Sequence, residues 1–79
     1  QGDAEGHAGL AAAYQGGRGI AKDEKQAGLH FSKAAELGHA PSMAVLARAY
    51  RHGELGLVVD PAQADLWQAR AQVASSAPK

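Results

Sequence analysis

The chain repeats itself. Shifted by 36, Gly2, Ala4, Ala8, Leu10, Ala11, Ala13, Tyr14 and Gly17 fall on Gly38, Ala40, Ala44, Leu46, Ala47, Ala49, Tyr50 and Gly53. One extra residue near Leu55 moves the offset to 37. Gly19, Asp23, Gln26, Ala27, Leu29 and Ala34 then fall on Gly56, Asp60, Gln63, Ala64, Leu66 and Ala71. Alanine matches come easily in an alanine-rich chain, so the paired Gly, Tyr, Asp and Leu positions carry the signal. A period of this length is that of a helical array, in which each unit buries its apolar face against the next.

Local signals divide each copy into two helices. The first helix is predicted over Asp3–Gln15, capped by Gly2 or Asp3, with Leu10 and Tyr14 on one face. Gly6 and Gly9 weaken it by roughly 1 kcal/mol each relative to alanine, and are expected to let a neighbouring helix approach closely. The run Gly16-Gly17-Arg18-Gly19 breaks it. Asp23 caps the second helix, with Glu24 favourable to its dipole. Ala27, His30, Phe31, Ala34 and Leu37 form its apolar stripe, and Lys33 lies on the solvated edge. Gly38 closes this helix, and Pro41 sits in the first turn of the third. The third helix is predicted from Ala40 to His52, with Met43, Leu46 and Tyr50 inward and Gly53 as its stop. In the loop 54–59, Leu57 with Val58 or Val59 is expected to tuck under the helices. Asp60-Pro61 starts the fourth helix, carrying Ala64, Leu66, Trp67, Ala71 and Val73 to about Ala74. Residues 75–79 read as a flexible tail. The expected core is Leu10, Tyr14, Leu29, Phe31, Leu46, Tyr50, Leu66 and Trp67, with no β-sheet.

Three segments resemble the Sel-one-like repeat, a relative of the tetratricopeptide repeat. They are Tyr14-Gln-Gly-Gly-Arg-Gly-Ile-Ala-Lys-Asp23, then Ala27-x-x-His30-x-x-Lys33-Ala34-Ala35, then Gly38-His39-Ala40. The second copy reads Leu46-Ala47-x-x-Tyr50-x-x-Gly53, Gly56-Leu57-x-x-Asp60, Ala64-x-x-Trp67-x-x-Arg70-Ala71. The resemblance spans about Gly2 to Gln72. The chain departs from the pattern where Ala11 and Ala47 replace a helix glycine, His30 replaces a Trp, and Leu55 is inserted. The resemblance implies an all-α fold, an α/α solenoid of two helix-turn-helix repeats, about 2–37 and 38–74, forming one domain over 1–74. It also implies a non-enzymatic protein–protein interaction module. Bacterial relatives work in the envelope or in host contact, and eukaryotic ones serve membrane-protein degradation. The alanine-rich composition leans towards a bacterial source.

At 79 residues the chain makes one small domain with few large apolar side chains. It has no cysteine, so no disulfide supports it. Its formal net charge is zero, which argues against nucleic acid, whose affinity rests on clustered Lys and Arg. No run of apolar residues is long enough to span a membrane. No signal peptide is visible; the chain opens at Gln1 within the first repeat, as a processed or excised piece would.

The four histidines, His7, His30, His39 and His52, have neither i, i+3 nor i, i+4 spacing, so neither metal nor cofactor is expected. Gly16–Gly19 lacks the strand and the Gly-Lys-Ser/Thr of a phosphate loop. Asp23 and Asp60 are accounted for by capping, and Tyr14 and Tyr50 by core packing. Function then falls to the surface. Stacked hairpins line a concave groove with the first helix of each pair. In copy two the groove set is Pro41, Val45, Arg48 and His52; in copy one it is Glu5, Gly9, Ala12 and Gly16. Partner contact is assigned to Arg48, Arg51, His52, Val45 and Glu5, and suits a protein or peptide segment with an acidic group. The alternative is assembly with further copies through the open solenoid ends, by Leu66, Trp67 and Val73.

Overall fold

The computed structural model describes residues 2–76 and is all-helical. Its elements are α1 (Gly2–Gly16), α2 (Glu24–Glu36), α3 (Ala40–His52) and α4 (Pro61–Ser76). α1 packs on α2 and α3 on α4, giving two hairpins, and α2 packs on α3 to join them. The body measures 37 × 29 × 14 Å. A thickness of 14 Å matches two helix layers about 8–10 Å apart.

The duplication reaches the backbone. Arg18 N–H donates to Ala13 O at 3.0 Å, and Glu54 N–H to Ala49 O at 2.9 Å. Both bonds close a helix through a left-handed glycine, Gly17 (φ 69°) and Gly53 (φ 71°). Asp23 N–H then reaches back to Tyr14 O at 3.0 Å, and Asp60 N–H to Tyr50 O at 2.9 Å. Each of these aspartates caps the next helix, accepting from Gln26 N–H or Gln63 N–H at 3.2 Å. Asp23 and Asp60 therefore hold both ends of the turn between two helices, tying the previous helix by the amide and the next by the carboxylate.

The core is built on small side chains. Ala11, Ala27, Ala34, Ala47, Ala49 and Ala64 are fully buried, which lets the helices approach closely. Phe31, Met43, Leu46, Leu55 and Trp67 are the large buried side chains, and Tyr14 and Tyr50 pack half-buried against them.

Several expectations are corrected. Leu10 is 40% exposed although its equivalent Leu46 is 1% exposed, because α3 lies between α2 and α4 while α1 has its main packing on α2 alone. Leu29 and Leu66 are 49% and 48% exposed, and Leu37 is also exposed. Leu29 and Leu66 occupy the same repeat position, on the outer edge of the second helix of each hairpin. Leu57 packs half-buried against the core as expected, but Val58 and Val59 are exposed, and the inserted Leu55 is the buried residue of the loop. α4 runs on through Ser75 and Ser76; the rest of the expected tail, like Gln1, lies outside the described residues. Gly2 and Asp3 lie inside α1 rather than capping it. His39 has a defined role: its Nδ1 accepts from Ser42 N–H at 3.3 Å as the cap of α3, and lies 2.7 Å from Ser42 Oγ.

Gly6 and Gly9 admit no close neighbour: a Cβ built on either meets no atom within 4 Å. They therefore only weaken α1. Gly9→Ala is expected to stabilise the fold by about 0.5–1 kcal/mol, seen as a higher melting temperature by circular dichroism. A lower one would mean that something does pack there.

Candidate functional site

Two of the grooves on the described surface involve residues expected to make contacts. One lies between α1 and α3, holds about 340 Å³, and is lined by Gln15, Ala44, Val45 and Arg48. Val45 and Arg48 of the expected groove set line it, whereas Pro41, His52 and the copy-one set Glu5, Gly9, Ala12 and Gly16 do not. Val45 is half-buried against the core. Arg48 Nε donates to Glu54 Oε1 at 3.2 Å. Arg51 turns instead to α4, 3.5 Å from Asp65 Oδ1. Both pairs are solvent-exposed, so each contributes well under about 1 kcal/mol and exchanges readily for another acid. His52 is exposed at the end of α3. Glu5 lies ten residues before Gln15 along α1, about 15 Å away, and so outside this groove.

The second groove lies between α2 and α4, with Met43 in its lining, and holds about 410 Å³. Ala35, Leu66, Ala69, Val73 and Ala74 make it mostly apolar, and Glu36 and Arg70 stand on its two helices. Val73 is 70% exposed. Leu66 and Val73 of the expected self-association set thus share one accessible surface. Trp67 does not join them. It is buried, with the Arg70 guanidinium carbon 5.0 Å from its ring centroid. Its ring faces the core because position 67 belongs to the same stripe as Ala64 and Ala71, three and four residues away. The open flank of α4 is polar as well. Gln68 and Gln72 are exposed where their equivalents in α2, Phe31 and Ala35, belong to the core.

The first hairpin holds a feature that spacing along the chain did not reveal. His30 Nδ1 on α2 lies 3.1 Å from His7 Nδ1 on α1. The Tyr14 ring lies parallel to His30, 5.9 Å between centroids. Burial, reinforced by the charges of His7 and Lys33, holds the His30 imidazole below its ordinary proton affinity. The sequence did contain a signal for this pairing: the repeat equivalents of His7 and His30 are Met43 and Trp67, both core residues. His30 and Lys33 likewise stand where the second hairpin stacks Arg70 on Trp67.

Among the described residues no group of three or more His, Cys, Asp or Glu side chains gathers, and no helix is long and apolar enough to cross a membrane. Comparison with protein-family models, with curated proteins and with solved structures finds no match.

Proposed function

We propose that the chain is a non-enzymatic protein–protein interaction module of the Sel-one-like kind. The observation that carries this reading is the apolar groove between α2 and α4, with Leu66 and Val73 open to solvent. Leu66 and Val73 lie two turns apart, about 10 Å, the span of an i, i+3, i+7 stripe on a docked helix. Glu36 and Arg70 set the direction of that helix, with a base meeting the first and an acid the second. The occupant is thus an amphipathic helical segment of another protein. The inner groove, with Val45 and the exchangeable Arg48, offers the same partner a second and more polar contact. The resemblance in sequence and the duplicated turn bonds support the family; the groove supports the role.

The test uses a synthetic amphipathic helix with leucines at i, i+3 and i+7, flanked by one Lys and one Glu. Trp67 lies beneath Arg70 and reports on the groove. Val73→Asp is expected to weaken binding at least tenfold with little change in the melting curve. Binding that survives this change would overturn the assignment of the groove.

A second reading is that a further copy of the chain fills the groove. Its specific support is the opposite charge of Glu36 and Arg70, which makes the patch complementary to itself about a two-fold axis. Light scattering across a dilution series separates the two readings. A mass that falls on dilution, and is monomeric throughout for Val73→Asp, favours the second copy. A constant monomeric mass favours the foreign helix.

A further inference from the structure

We propose that His7 and His30 form a two-histidine site for a first-row transition cation that favours imidazole, such as Zn²⁺. The two side chains come from the middle of different helices, so the scaffold rather than a loop sets their separation. Their Nδ1 atoms are 3.1 Å apart while their ring centroids are 5.3 Å apart. The nitrogens therefore lie between the rings and face each other, edge to edge, with the planes 22° apart. Without a cation, two lone pairs cannot share this position. One Nδ1 must carry a hydrogen and donate it to the other.

A cation removes that constraint, because it uses both lone pairs. Zinc–nitrogen bonds of about 2.0–2.1 Å at a tetrahedral angle place two ligand nitrogens about 3.3 Å apart, close to the separation found here. The cation would sit about 1.3 Å to one side of the line joining the nitrogens, reached by a tilt of both rings. Both rings are only half-buried, so the tilt leaves the core intact. The bridging hydrogen leaves Nδ1 and, by exchange with water, Nε2 of the same ring takes one up. Both imidazoles stay neutral, so this exchange releases no net proton; a protonated imidazole would have to give up its proton to bind the metal.

The neighbouring groups fix the character of the site. Tyr14 on α1 lies against the His30 ring, and Lys33 on α2 adds positive charge nearby. With no third acidic, His or Cys ligand among the described residues, water completes the coordination. The metal therefore binds reversibly and ties α1 to α2, at the place where the second hairpin carries Met43 and Trp67.

Zinc chloride added to the unaltered chain provides the test, read by the imidazole resonances of the four histidines. The His7 and His30 signals are expected to shift together, while those of His39 and His52 stay in place. At ten times its dissociation constant the metal is expected to raise the melting temperature by roughly 5–10 °C. That rise is expected to disappear in His7→Ala and in His30→Ala, and to persist in His52→Ala. If zinc shifts no histidine signal, or shifts His39 or His52 as strongly, the site does not exist. A melting rise that survives both substitutions overturns it equally. The resonance measurement needs no variant, so it stands even if His30→Ala folds poorly.

Discussion

Leu46→Ala is expected to lower stability by about 2–5 kcal/mol, the range for a buried leucine that leaves a cavity. A domain of this size has a total of about 4–12 kcal/mol, so the loss is a large fraction of its stability. Leu46 is the largest fully buried side chain in the described structure and sits on the helix held between two others. Much of the core around it is alanine, whose side chains have no rotamers with which to refill the space. Leu10→Ala is the control, the same repeat position on the outermost helix. It is expected to cost less than half as much, because its side chain is already 40% exposed. Urea unfolding followed by Trp67 fluorescence measures both. Equal losses would mean that α1 is covered in solution by something that buries Leu10.

That pair of leucines shows where the sequence is informative and where it is silent. Asp23, Asp60, Gly38, Gly53 and Pro61 act within a few residues of themselves, and their roles follow from local chemistry alone. The repeat showed that positions 10 and 46 are equivalent within a hairpin. It could not show that only one of them has a neighbour on each side. Leu29, expected in the core, is exposed for a different reason. It is two residues past Ala27, just over half a turn round the helix, so its side chain leaves the face that Ala27 buries. Leu55 was hidden because an inserted residue has no counterpart to compare with. The grooves were legible in part. Val45 and Arg48 follow from helical spacing, but the exit of Arg51 towards Asp65 depends on where α4 lies, which no periodicity states. The His7–His30 pair required the two halves of the repeat to be read together, with Met43 and Trp67 as the guide.

Gly28→Ala is expected to destabilise the fold by up to about 2 kcal/mol, although the same change at Gly9 stabilises it. Alanine in a helix interior gains about 1 kcal/mol over glycine at either position. At Gly28 that gain meets a wall, since a Cβ there would stand 2.6 Å from the carbonyl oxygen of Leu55. The loop cannot easily retreat. Glu54 N–H is bonded to Ala49 O, Leu57 N–H to Glu54 O, and Asp60 N–H to Tyr50 O, all within 3.0 Å. Leu55 itself already holds a left-handed backbone, φ 58°, strained for a residue other than glycine. Burial of its side chain offsets that strain, so a loop pushed outward loses the burial and keeps the strain. Overpacking of this kind costs about 1–3 kcal/mol, which exceeds the helical gain. The contact also locks the second hairpin's loop onto α2 of the first, so the damage should appear as weaker coupling between hairpins. A double-mutant cycle isolates it. In a chain with Leu55 deleted, Gly28→Ala should turn neutral or stabilising. If Gly28→Ala destabilises by the same amount with Leu55 absent, the loop is not what the glycine makes room for.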